Sequence, residues 1–180
     1  MIEPLQTERL LLQPLGLDDV AAIQRVFPQW EIVRWLDQTI PWPYPEDGAR
    51  FFLEQVVLPA AVAGTGWHWS IRRREEPGEL IGEIALQDVP GHNRGFWIVP
   101  EWHGRGFASE AAEAVTRFWF ETLGRQVLQV PKAADNLASR RISERQGMRV
   151  VDRFKGRLVG GEYDFELWEL RRDEWLARNG

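Results

Sequence analysis

The sequence predicts a mixed α/β fold, in which a mostly antiparallel sheet is flanked by helices. Period-two alternation marks strands, most clearly where Trp67, Trp69 and Ile71 alternate with His68, Ser70 and Arg72. Spacings of three and four mark helices, most clearly at Ala111, Ala114, Val115 and Phe118. The two kinds of stretch interleave, and no linker, repeat or low-complexity run divides them, so residues 1–180 read as a single domain.

Each element has a local cause. Thr7–Gln13 is a first strand, with Leu10 and Leu12 on one face and Leu11 on the other. Asp18 caps a helix running to Phe27, with Val20, Ile23 and Phe27 aligned. Trp30–Leu36 is a second short helix. The run from Pro41 to Pro45 cannot be helical, and helical spacing resumes from Glu46 to Val56. The Trp67–Arg72 strand, a turn over Glu75–Gly78, and strands at Leu80–Val89 and Gly95–Val99 form an antiparallel meander. Ser109–Glu121 is a strong helix stopped by Gly124. Val127–Val130, apolar apart from Gln129, is read as a strand covered on both faces. Leu137–Gln146 is a helix stopped by Gly147, Val150–Phe154 and Tyr163–Leu170 pair as a hairpin, and Asp173–Arg178 is a last short helix.

Composition excludes several function classes. Lys and Arg number 22 against 27 Asp and Glu, giving a net charge of −5 with no long basic run. An electrostatic nucleic-acid binder needs a basic field, so no nucleic-acid partner is expected. The longest apolar stretch, Val56–Ala63, is broken by Pro59 and is too short to span a bilayer. The N-terminus lacks a signal pattern, so a soluble, cytoplasmic protein without a membrane partner is expected. There is no Cys, which excludes disulfides, thiolate zinc sites and a Cys nucleophile. The three His are scattered without metal-ligand spacing, so no metal is expected. Ten Trp are costly to place, because each N–H needs a partner and each ring a wall. They imply a large aromatic core or a pocket with aromatic walls.

Two constellations carry chemistry. The first runs Pro100-Glu101-Trp102-His103-Gly104-Arg105-Gly106-Phe107-Ala108-Ser109-Glu110, between a strand and a long helix. Gly104 and Gly106 remove side chains where the backbone turns, and the N–H groups of the helix start favour an anion such as a pyrophosphate. An ordinary tight strand–helix turn accounts for the glycines equally well. No Lys-Ser/Thr pair follows, so the loop is not a Walker A motif, and Ser109 stands where a dinucleotide fingerprint needs Gly. The second is Asn136 to Met148, in which Asn136 can cap a helix and Ser139 and Ser143 share a face. A cap followed by two solvated serines explains that spacing as well.

Taken jointly, the two stretches resemble the GNAT superfamily of acyl-CoA-dependent N-acetyltransferases, in its RimJ/RimL-like branch of ribosomal-protein acetyltransferases. Gly95 to Ala111 follows the branch pattern nearly throughout, and Asn136 to Met148 fits Asn-x-x-Ser-x-x-hydrophobic-x-Glu-(Lys/Arg)-x-Gly-(Phe/Met). Thr7-Glu8-Arg9-Leu10-Leu11-Leu12, Pro41–Phe51, and Asp164, Trp168 and Glu174-Trp175 extend the likeness over most of the chain.

The resemblance implies a mostly antiparallel sheet of six to seven strands, with a splayed pair holding acetyl-CoA as co-substrate. It implies that the backbone of Ile98 and Val99 pairs with the pantetheine, one N–H polarising the thioester carbonyl. The N–H groups of Gly104, Arg105, Gly106, Phe107, Ala108 and Ser109 would hold the pyrophosphate, and Asn136 would contact the pantetheine. A primary amine would attack the thioester directly. Ser139 would serve the departing thiolate; Ser143 stands where many members carry Tyr. A Glu common in the branch is replaced by Asn93, leaving Glu83, His92 and Glu101 as candidate bases, of which Glu83 is preferred. A plain strand-surface carboxylate is the bland account of Glu83. Trp30, Trp35 and Trp42 gather in the segment the family varies, beside Glu31, Asp37, Glu46 and Asp47, and would bind a cationic acceptor. A catalytically silent acyl-CoA sensor is the alternative, and dimers are common in the branch, so a homodimer is allowed.

Overall fold

The computed structural model describes residues 2–179. Strands β1 (Leu5–Gln6), β2 (Leu10–Pro14), β3 (Gly66–Arg73), β4 (Glu76–Gln87) and β5 (Arg94–Ile98) form one sheet in that order, every pair antiparallel. Strands β6 (Val127–Ala133), β7 (Arg149–Leu158) and β8 (Gly161–Arg171) form a second antiparallel sheet, ordered β6-β8-β7. The helices are α1 (Val20–Val26), α2 (Trp30–Val33), α3 (Gly48–Phe52), α4 (Leu58–Ala63), α5 (Phe107–Arg117), α6 (Leu137–Arg145) and α7 (Arg172–Asn179). The predicted class holds, with the two-residue β1 as an added edge.

Two apolar clusters sandwich the sheets. Trp69, Ile71, Ile84, Leu86 and Ile98 pack with Ala111, Val115 and Trp119 of the α5 layer, all nearly inaccessible. Trp97 and Val99 point the other way, with Phe27, Val33, Ala49 and Leu53 of the α1–α4 layer. The alternation of β5 thus divides neighbouring residues between opposite faces.

Several local expectations are corrected. The helix expected to end at Val56 runs on through a π turn at Leu53–Val57 into α4. Pro59 lies inside this continuous helix, directly after the π turn, where the wider turn accommodates its missing N–H. The helix entry falls to Asp19, not Asp18: Asp19 accepts from the Gly16 N–H and pairs with Arg72. The β3–β4 turn lies at Arg74-Glu75, and Glu76 to Gly78 already belong to β4. The β6 strand continues past Val130 to Ala133 and alternates, with Leu128 and Val130 buried and Val127 and Gln129 half-buried. A bulge at Ile81, where Ile71 pairs with Gly82 and Arg72 with Leu80, turns Ile81 onto the α5 face, opposite Glu83. Among the described residues no helix is long and apolar enough to cross a membrane.

Candidate active site

The site begins at a seam that does not close. The Gln87 N–H donates to Asn93 O and the Val99 N–H to Ile81 O. Ladder bonds from β5 to β4 therefore fall on odd-numbered residues, and Phe96 and Ile98 turn their N–H and C=O groups away from β4. On the other side, Ala134 bonds Asp164 and Arg172 bonds Gln126. Even-numbered residues of β6 thus serve β8, and Gln129, Pro131 and Ala133 face β5.

At its base the seam is tied. The Asn93 N–H donates to Gln129 O at 2.8 Å, and Asn93 Oδ1 accepts the Gln129 N–H at 2.8 Å. The Asn93 Nδ2 group donates to Gln87 O and Val89 O. A carboxylate could not donate those two bonds, so Asn93, where the branch commonly has Glu, is a buried structural tie. Beyond it the next inward residue is Pro131, which has no N–H to offer β5. A rung there, worth about 1 kcal/mol net, cannot form. Phe96 lies beside Lys132, so the strands run in the same sense as they part.

Of the two residues whose backbone is expected to pair with a pantetheine, Ile98 turns its N–H to the seam and Val99 does not. The Val99 N–H is spent on Ile81 O at 2.8 Å. The Ile98 carbonyl bonds His103 Nε2 at 2.7 Å.

At the outer end of β5, the chain turns at Gly104 (φ 73°) and Gly106 (φ 81°), the second being the N-cap of α5. Both lie in the left-handed region that glycine tolerates best. Among the described residues the N–H groups of Gly104, Arg105, Gly106, Phe107, Ala108 and Ser109 donate to no protein acceptor. Such a crest at a helix N-terminus suits an anion. The Arg105 guanidinium lies 4.5 Å from the Trp102 ring centre, and Arg73 stacks on the same ring at 4.1 Å.

The crest is held from behind by Glu110. It accepts from the Thr7 hydroxyl at 2.6 Å, the Arg9 N–H at 2.8 Å and Arg9 Nε at 2.6 Å. Burial alone would raise the Glu110 carboxyl, but the Thr7 and Arg9 hydrogen bonds outweigh it and hold the group below the ordinary glutamate value of 4.5. The stabilisation it contributes is therefore full above 4.5 and lost as pH falls through the lower folded value. Thermal melts of wild type and Glu110→Gln should differ at neutral pH and converge only on acidification below the ordinary glutamate range.

On the α5/α6 face, Asn136 Oδ1 accepts the Ser139 N–H at 3.2 Å and so caps α6. The two serines of α6 are not a solvated pair. Ser143 is fully buried with its Oγ unpartnered, and Ser139 Oγ accepts from Lys132 Nζ at 2.7 Å.

On the opposite face Glu83 is not a surface carboxylate. It is 7% exposed, with Oε1 2.8 Å from His68 Nδ1 and Oε2 accepting Trp97 Nε1 at 2.9 Å. Both oxygens are engaged, as a buried carboxylate requires. Tyr44 stands close enough that burial, then Glu83 and Asp47, push its phenol up to about 12. His92 and Glu101 are exposed and outside this cluster. The three candidate acceptor tryptophans separate. Trp30 and Trp42 form an exposed pair with ring centres 5.6 Å apart, whereas Trp35 packs at a tilt on Tyr163 of β8, ring centres 5.4 Å apart.

Sequence patterning alone reveals neither the pairing of His68 with Glu83 nor the burial of Lys132. The sequence marks Lys132 only by rarity, since Lys132 and Lys155 are the two lysines among 22 Lys and Arg residues. The first depends on strand register, which one sequence does not display. Among the described residues no cluster of His, Cys, Asp and Glu could hold a metal.

Known proteins share this fold. The family model described as an acetyltransferase (GNAT) domain matches residues 9–149. An uncharacterized N-acetyltransferase, YoaA of Bacillus subtilis, is 28% identical over 158 residues, covering 83% of this chain and 84% of that protein. The ribosomal-protein-S5-alanine acetyltransferase of Vibrio fischeri superimposes with TM-score 0.81 at 16% identity, covering 96% of this chain and 98% of that one. A RimL ribosomal-protein acetyltransferase solved with coenzyme A gives TM-score 0.80 at 17% identity, covering 96% and 99%.

Proposed function

The chain belongs to the acetyltransferase (GNAT) domain family, and from that premise we propose that it transfers the acetyl group of acetyl-CoA to a primary amine on a partly apolar body. The observation that carries the proposal is the seam between β5 and β6, held open by Pro131 and ending at a crest of unengaged N–H groups. A pantetheine arm would lie between these strands, with its pyrophosphate on Gly104 to Ser109. Acetyl-CoA supplies the activated acetyl thioester; the rest of the chemistry belongs to the chain. The Ile98 N–H would polarise the thioester carbonyl. The Asn136 side-chain amide, its oxygen used by the cap, would offer its N–H group to the arm.

The two faces of the sheet would divide the proton work. Glu83 and His68 lie on the α1–α4 face, from which the amine approaches. Glu83 fixes the imidazole and receives the amine proton with it. Ser139 lies on the α5/α6 face beside the departing thiolate. The Trp30–Trp42 pair, near Glu31, Glu46 and Asp47, would seat the cationic acceptor.

Thiol release from acetyl-CoA, measured with N-terminal peptides, amino acids, polyamines and aminoglycosides side by side, tests the reading. Release with at least one class, with the acetylated amine as product, is expected. Coenzyme A binding with turnover of none of them would instead indicate an acyl-CoA sensor. Trp42→Ala should raise KM for the active amine about ten-fold, the loss of roughly 1.4 kcal/mol of aromatic contact. KM for acetyl-CoA should be unchanged, because the ring pairs with Trp30 and not with a residue of the crest.

A further inference from the structure

The seam holds a cation with no role in the chemistry above. Lys132 is 4% exposed on β6, with Nζ 5.8 Å from the Phe96 ring centre and donating to Ser139 Oγ at 2.7 Å. Among the described residues no carboxylate pairs with it. Its cross-strand neighbour Glu166 is engaged by Arg140 and Arg153. Glu113 of α5 accepts from Gln146 and faces Arg94. Arg94, at the start of β5, is a like charge. Burial first, and then Arg94, push the Lys132 ammonium well below the ordinary lysine range. Nearly every other cation in the chain is Arg, whose charge cannot be removed; here the chain places Lys, whose charge can.

Resting on the acetyl-transfer reading, we propose that Lys132 positions the Ser139 hydroxyl and recharges it with a proton as the thiolate of coenzyme A departs. The Lys132 N–H occupies a lone pair of Ser139 Oγ, which leaves the hydroxyl hydrogen free to be donated elsewhere. As the amine nitrogen bonds to the acetyl carbon, the C–S bond breaks and its electron pair goes to sulfur. Sulfur takes the Ser139 proton, and the Ser139 oxygen takes one from the Lys132 ammonium. Lys132 then regains a proton from solvent, and the proton shed by the amine nitrogen leaves through Glu83 and His68, so protons balance. An aliphatic hydroxyl alone is far too weak an acid for this step; an ammonium titrating below its usual range is not.

The scarcity of lysine makes the test direct. With 13C-labelled lysine, the full chain gives two side-chain signals, of which the exposed Lys155 is the internal control. Without ligand, Lys132 should titrate well below Lys155. Coenzyme A should shift the Lys132 side-chain signals, because its thiol sulfur meets the Ser139 hydroxyl that Lys132 holds, and desulfo-coenzyme A should not. Equal responses to the two, or no Lys132 response while calorimetry shows coenzyme A bound, would overturn this proposal alone. Failure of coenzyme A to bind would overturn it together with the acetyl-transfer reading. In turnover, Lys132→Met should lower kcat by about 100-fold with KM for acetyl-CoA unchanged. It should also abolish the fall in wild-type kcat as pH rises through the Lys132 midpoint. A wild-type kcat in that variant, or a stable acetyl group mapped to Lys132, would contradict the relay. Should the Met variant fail to fold, the labelled wild-type chain still decides.

Discussion

Gly106→Glu is expected to abolish coenzyme A binding while leaving the chain folded. Gly106 sits at φ 81°, where a residue with a Cβ is strained by about 1–2 kcal/mol. The strain falls on the backbone that aims the N–H crest, and the new side chain, its Cβ 3.4 Å from Arg9 Nη2, would add a negative charge beside that crest. Strain and charge repulsion together should weaken binding at least about 100-fold, the equivalent of about 2.7 kcal/mol. Gly124→Ala is the matched control. Gly124 has φ 65°, and no atom lies within 4 Å of where its Cβ would stand, so it carries similar strain at the far end of the α5 layer. Calorimetry should show coenzyme A binding intact in Gly124→Ala and lost in Gly106→Glu. Equal loss in both would mean that backbone strain, and not the crest, explains the result.

Glu83→Gln is expected to lower kcat by about 100- to 1000-fold without changing KM for acetyl-CoA. Glu83 accepts from two donors, His68 Nδ1 and Trp97 Nε1. Trp97 can only donate, so the single oxygen of Gln must serve it, and the amide N–H group then faces His68 Nδ1. That reverses the imidazole tautomer and puts a hydrogen on Nε2, the nitrogen needed as acceptor. The substitution is nearly isosteric and keeps both hydrogen bonds, so stability should change little. Steady-state kinetics with the best amine of the panel provide the check. A kcat within about two-fold of wild type would remove Glu83 and His68 from the proton path, because general-base assistance is worth far more than that.

What is legible in the sequence is what local chemistry determines. Gly104 and Gly106 ahead of an amphipathic helix announce the crest, since left-handed turns and helix starts are properties of a few adjacent residues. Gly124 and Gly147 mark helix ends for the same reason, both at positive φ. The burial of most Trp follows from alternation at Trp67 and Trp69 and helical spacing at Trp119. Register is not legible. The bulge at Ile81 moves that residue to the face opposite Glu83, and a one-residue shift suffices to reverse every side chain after it. The same invisibility hides the His68–Glu83–Trp97 cluster, whose members lie on three strands. It also hides the commitment of the Val99 N–H to Ile81, which leaves Ile98 as the donor facing the seam. Pro131 lies just past the apolar run that marks its strand in the sequence. Only the pairing of β6 with β8 shows that its missing N–H faces β5 and keeps the seam open.

Every role assigned above depends on coenzyme A lying along this seam with its pyrophosphate on the crest. Amide hydrogen exchange, followed residue by residue with and without coenzyme A, examines that placement at the amides themselves. New protection is expected at the N–H groups of Phe96, Ile98 and Gly104 to Ser109, with the Val99 N–H, already bonded to Ile81, unchanged. Protection confined to other parts of the chain, with these amides exchanging as before, would contradict it.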